Sequence, residues 1–106
     1  MGHLLETAVF LELRRRGRSL SYVMTRSGYE VDFLAEDSRG ARELIQVCAS
    51  LEAPSTRQRE LRALEEGMKE TACEKATVVT LREEGSAEVG GRPVRIVPAW
   101  RWLLEP

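Results

Sequence analysis

The order of hydrophobic periods along this chain predicts an α/β sandwich of the αβββαβ kind, a small mixed sheet flanked by two helices. Three observations predict it. Residues 3–16 carry apolar side chains at helical spacing. Residues 19–48 hold three short strand-like runs separated only by turns, which makes an antiparallel meander. Residues 55–72 are long enough as a helix to be a right-handed crossover that brings the next strand in parallel to the one before it.

In the first helix Leu5, Val9, Glu12 and Leu13 share a face, and Leu4, Ala8 and Leu11 widen the apolar stripe. Arginines occupy its last turn, where cations suit the helix dipole, and Gly17 fits the position after its end. Leu20, Tyr22 and Met24 alternate with Ser19, Ser21 and Val23 as strand one. Ser27-Gly28 turns the chain. Tyr29 to Glu36 is strand two, with Tyr29, Val31, Phe33 and Ala35 expected on one face. After a turn at Asp37-Ser38-Arg39-Gly40, Ala41 to Cys48 is strand three.

Pro54-Ser55 restarts the chain, and Ser55 with Gln58 has the spacing of a capping box. The second helix runs to about Ala72 with Leu61, Leu64, Met68 and Ala72 inward, and Gly67 is a blemish costing ~1 kcal/mol against Ala. Lys75 to Leu81 is strand four, rich in β-branched residues. Gly90-Gly91-Arg92-Pro93 turns into a short strand, Val94 to Val97. Trp100, Trp102, Leu103 and Leu104 close the chain as a helical turn.

At 106 residues this is a single domain, 1–106, able to bury one core. With 42% hydrophobic and 31% charged residues it is a folded chain and not a disordered one. No apolar run reaches the roughly 20 residues that span a bilayer. Met1-Gly2-His3-Leu4-Leu5-Glu6 lacks the basic start of a signal peptide, so a cytoplasmic address is expected. Cys48 and Cys73 lack metal-type spacing and read as free thiols. A net charge of −1 does not announce a nucleic-acid binder; the one dense basic cluster is Arg14, Arg15, Arg16 and Arg18. Fourteen arginines against two lysines, with no asparagine, give a thermophile-like composition that a GC-rich genome explains equally well.

The chemistry concentrates on strands two and three. Glu30 and Asp32 lie two apart on one strand, and Gln46 and Cys48 on the next, so each pair is expected to share a face. An acid on one strand followed by acid-x-Lys on its neighbour is a nuclease layout: oxygen ligands hold Mg²⁺ and a lysine orients the attacking water. Here Asp32 is the residue able to ligate Mg²⁺. Gln46 replaces a carboxylate with one neutral oxygen, and Cys48 replaces the lysine with a soft sulfur.

With Glu6 in the first helix, this arrangement resembles the PD-(D/E)XK nuclease superfamily. It resembles more closely the C-terminal domain of a family of prokaryotic AAA-type ATPases. The likeness rests on Gly2-His3-Leu4-Leu5-Glu6-Thr7-Ala8-Val9, on Glu12 to Arg15, on Glu30 to Phe33, on Arg59-Glu60-Leu61, and on Ile96 to Leu104. It implies that Glu6, Asp32 and the Gln46 and Cys48 positions face one pocket, with Glu30 beside Asp32, Mg²⁺ as its metal if any, and DNA or an ATPase partner outside it. The chain departs from the pattern at Gln46-Val47-Cys48, and it has no phosphate-binding Gly-x-x-x-x-Gly-Lys loop.

Three readings stay open. One is a degenerate, non-catalytic nuclease-like domain that binds nucleic acid or docks on a partner. A second is a working nuclease with a migrated lysine, Lys69 or Lys75. A third is a structural or oligomerisation module, including a homo-oligomer. The plainer alternatives stay open too: Asp32 on a solvated edge strand, Glu6 as a helix-dipole partner, the arginines as a solvated helix end, Arg59–Glu60 as a salt bridge, and the tryptophans as a lid on the core.

Overall fold

A computed structural model describes residues 2–106; the first residue of the N-terminal stretch, Met1, lies outside it. The elements are α1 (Gly2–Arg15), β1 (Ser19–Met24), β2 (Glu30–Glu36), β3 (Arg42–Val47), α2 (Pro54–Thr71), β4 (Ala76–Thr80), β5 (Gly85–Val89), β6 (Arg92–Pro98) and α3 (Ala99–Leu104). They form one six-stranded mixed sheet in the order β1-β2-β3-β4-β6-β5. The meander β1-β2-β3 is antiparallel, and α2 is the crossover that sets β4 parallel to β3. β6 lies parallel to β4, with β5 antiparallel at the far edge.

The sheet separates two cores. On one face Ala63, Leu64 and Met68 of α2 pack with Val31, Leu44, Val78, Val94 and Ile96. On the other, Val9 and Leu13 of α1 and Trp102 of α3 pack with Phe33, Ala35, Ile45, Val79 and Val97. Among the described residues no helix is long and apolar enough to cross a membrane.

β5 is absent from the sequence expectation. Gly85-Ser86-Ala87-Glu88-Val89 lacks a strong alternation, and its strand state comes from pairing with β6 through Gly90 and Gly91, whose φ values of 55° and 78° suit a tight hairpin. The capping box does not form. Pro54 already occupies the first turn, Ala53 is the N-cap, and no side chain caps the helix. In β1 the buried residue is Val23, while Tyr22 and Met24 are exposed. In α1 the widening stripe fails too: Leu4 and Leu11 are exposed.

Gly67 is no blemish. A Cβ there would stand 3.0 Å from Val31 Cγ2 and 3.2 Å from Leu44 Cδ1, so the glycine lets α2 settle onto β2 and β3. Ala72, expected inside the helix, is its C-cap, at a left-handed φ of 56°.

Candidate functional site

The site is a fork between β2 and β3. The two strands pair from Glu36↔Arg42 down to Phe33↔Ile45, and no pairing follows beyond that point. On the other side of β2, Ser21 faces Leu34 while Val23 faces Val31, so Asp32 and Phe33 together oppose Tyr22. That is a β-bulge, the device that re-aims a side chain. It also breaks the period-two alternation: Val31 packs into the α2-side core, whereas Phe33 and Ala35 pack into the α1-side core. The expectation that Val31, Phe33 and Ala35 share one face is therefore corrected, and Asp32 stands at the break.

Two side chains close the fork in place of ladder bonds. The Asp32 N–H donates to Gln46 Oε1 at 2.8 Å, and the Val47 N–H donates to Asp32 Oδ2 at 2.8 Å. Gln46 Nε2 then donates to the Glu30 carbonyl at 3.0 Å and to Glu60 Oε2 at 2.7 Å. Gln46 is buried, and both its amide hydrogens and its carbonyl are engaged. This explains why an amide stands there. A glutamate could not donate to the Glu30 carbonyl and would meet the Glu60 carboxylate head on.

A cleft of about 370 Å³ opens at the fork, lined by Tyr29, Glu30, Asp32, Gln46, Arg59 and Glu60 among others. Burial pushes the Asp32 carboxyl up to about 6; the Val47 N–H opposes this, and the charges of Glu6 and Glu60 add to it. Burial also raises Glu60, against the hydrogen bond from Gln46 and the charge of Arg59. Glu6 thus reaches Asp32 from α1, and Glu60, held on Gln46, adds its charge from α2. Glu30 lines the cleft but is exposed at the rim, where a hydrogen bond to it pushes Tyr22 up to about 12.

Of the expected pocket residues, Asp32, Gln46 and Glu30 line one cleft and Glu6 adjoins it through Asp32. Glu60 was missed as a site residue and read only as half of a salt bridge. Its partner Arg59 does stand 3.8 Å away, but Glu60 also holds Gln46. The signal that could have found it is an acid in the first turns of the crossover helix, which necessarily start above the ends of β3. Cys48 donates to the Ser50 carbonyl, and burial raises its thiol, so it is not a ready thiolate.

These residues do not fit a Mg²⁺ ion. One Asp32 oxygen and the only Gln46 oxygen are committed to backbone N–H groups, and no group of three metal-holding side chains occurs among the described residues. Nor does a lysine line the cleft. Lys69 Nζ pairs with Glu66 at 3.6 Å and Glu65 at 4.0 Å, and Lys75 lines a separate hollow beside β6.

The four clustered arginines have different partners within the fold. Arg16 stacks 4.5 Å over Trp102 and donates to the Trp102 and Glu105 carbonyls. Arg15 and Arg16 both bind Glu12, holding its carboxyl down at about 2. Arg18 lies 3.9 Å from buried Glu43, and Arg14 lies over Phe10. The cations at the cleft are instead Arg59 and Arg62, the latter 5.9 Å over Tyr29, along a second opening with Ser55 and Gln58.

Comparison with known proteins gives a family without an activity. An uncharacterized protein of Methanocaldococcus jannaschii, MJ1544, is 38% identical over 113 residues. The match covers 97% of this chain but 25% of that protein, so the chain spans about a quarter of its length. No solved structure matches. Residues 1–102 match the family described as a domain of unknown function, DUF4143, and the chain belongs to that family.

Proposed function

We propose that this domain keeps the frame of a nuclease without its chemistry, and works as a non-catalytic accessory that docks on a partner in an ATPase-type system. The observation that carries this reading is Gln46. The position where the nuclease layout needs a metal-binding acid is filled by an amide whose donors and acceptor are spent on Asp32, Glu30 and Glu60. Among the described residues no lysine lines the cleft beside it to orient a water. Docking is supported over phosphate binding because Glu6, Glu30, Asp32 and Glu60 make the cleft acidic, while the α1 arginines are engaged within the fold.

The test is incubation with single- and double-stranded DNA and RNA in Mg²⁺ or Mn²⁺, together with a thermal shift on metal addition. No cleavage and no metal-dependent rise in Tm are expected. Cleavage that disappears in Asp32→Ala would overturn the reading and restore the migrated-lysine nuclease.

A second reading, nucleic-acid binding, is favoured by one feature: Arg59 and Arg62 beside Tyr29 present two cations and an aromatic ring along an open wall. Anisotropy of a labelled oligonucleotide at low and high salt decides it. Binding that weakens with salt and is lost in Arg59→Ala with Arg62→Ala supports it.

A further inference from the structure

The sheet has two edges, and they are finished differently. β5 forms one of them. It carries Glu88, and α2 stands over its end, with Glu65 Oε2 3.2 Å from the place of a Cβ on Gly90. A charge on the strand and cover over it are devices that keep a sheet from growing. β1 forms the other edge with neither. Ser19-Leu20-Ser21-Tyr22-Val23-Met24 is six residues without a charge, a proline or a glycine. The bulge beside it lies on β2, where Asp32 and Phe33 oppose Tyr22, so β1 itself runs regular. Among the described residues the backbone of Ser19–Met24 has hydrogen-bond partners on β2 alone. Its outer row of N–H and C=O groups is a template for one more strand.

The side chains of β1 define what that strand must carry. Val23 packs into the α2-side core, and Leu20 packs against the α1-side core. Alternation puts Tyr22 and Met24 on the face of Leu20, where they are 57% and 54% exposed. The incoming strand must therefore be uncharged along its length and apolar on the α1 side. Its ends must meet charges of opposite sign. Arg26 is exposed just past one end of β1, and exposed Glu36 lies beside Ser19 at the other. Neither has an ion-pair partner among the described residues.

A second copy of β1 meets all of these requirements at once. Antiparallel pairing about a two-fold axis at Tyr22 sets Leu20 opposite Met24 of the second copy, Ser21 opposite Val23, and Thr25 opposite Ser19. Facing residues then come from the same side of the sheet, as a continuous sheet requires. The two Tyr22 rings meet on the axis as a cross-strand aromatic pair. The exchange of ends brings Arg26 of each copy to Glu36 of the other. Arg18, which would oppose Arg26, is already turned inward to Glu43, 3.9 Å away.

We propose that β1 is a homodimer interface, on which a second copy of this chain adds antiparallel. The two six-stranded sheets become one, with an Arg26–Glu36 pair at each end of the contact. The proposal stands apart from the accessory reading above, because it uses no residue that lines the cleft.

The test is sedimentation equilibrium of this chain from micromolar to millimolar concentration. A monomer–dimer equilibrium is expected. Arg26→Glu and Glu36→Arg should each weaken the dimer by about tenfold or more, because each sets like charges together at both ends. An equimolar mixture of the two single variants should restore it, since their heterodimer has opposite charges at both ends again. Tyr22→Lys, which sets two amines on the axis, should abolish it. Circular dichroism and Tm of each variant separate loss of pairing from loss of folding. A chain that stays monomeric over the whole range overturns the proposal. So does a dimer that both charge reversals leave unchanged, or one that the mixture fails to restore.

Discussion

The β2–β3 pair holds a carboxylate at each end, and the two are treated in opposite ways. At the closed end Glu43 is buried with the Thr77 hydroxyl donating to it at 2.6 Å and Arg18 3.9 Å away. At the forked end Asp32 has a single backbone donor, no cation bonded to it, and the charges of Glu6 and Glu60 directed at it. A fold that only needed closing would treat both ends like the first. The difference teaches that Glu43 is part of how the sheet holds together, whereas Asp32 is kept at a cost to stability, as groups in binding and catalytic clefts commonly are.

The harshest way to break this comparison is Gln46→Glu. It removes the donors to the Glu30 carbonyl and to Glu60 and brings a third acid to the fork, so a loss of about 3 kcal/mol at pH 7 is expected in urea denaturation. A loss below about 0.5 kcal/mol would mean that the amide is not what closes the fork. Next comes Gly67→Ala. Helix propensity alone favours it by ~1 kcal/mol. Against Val31 and Leu44, which come from the two strands of the fork, the added methyl should instead cost about 1–3 kcal/mol by overpacking.

The sharpest form of the comparison makes one chemical change at both ends. Glu43→Gln should cost about 1 kcal/mol, because the Arg18 pair is lost while Thr77 can still donate. Asp32→Asn should stabilise by about 1 kcal/mol at pH 7–8, a figure reduced from the full shift because the group is partly solvated. The sign follows from the titration. The folded carboxyl sits above its ordinary 3.8, at about 6, so the stability carried by the protonated form is complete below about pH 4 and lost as pH rises through about 6. Asp32→Asn should therefore gain nothing at pH 4 and flatten the fall in between. Denaturation midpoints taken from pH 4 to 8 on both variants decide it, and equal signs at neutral pH would erase the distinction between the two ends. The smallest effect lies away from the fork: Ala72→Gly should raise stability by about 0.5 kcal/mol by relieving the left-handed helix cap, visible as a small rise in Tm.

The sequence carried the sheet because the meander and crossover are written in element lengths and turn residues. It carried Asp32 and Gln46 because residues two apart on adjacent strands end up near one another. What it hid arises from contacts between distant segments. The bulge at Asp32–Phe33 leaves the buried pattern of Val31, Phe33 and Ala35 looking like a plain alternation while it sends Val31 to the opposite core. Glu60 looks like any helical acid until the crossover sets it over Gln46. Gly67 reads as a propensity defect because the methyls it would clash with belong to β2 and β3, far from it in sequence. The arginine cluster looked like a surface because nothing within α1 shows that Arg16 reaches residues 86 and 89 positions away.

That clasp also sets a timetable. Arg16 grips Trp102 and Glu105, so α1 finds its partner only after almost the whole described chain has been made. Until then the leucines and Val9 of α1 lack part of their cover, and the α2 half of the sheet is free to close first. Trimming the last five residues should therefore harm the opposite terminus as much as the one that is cut.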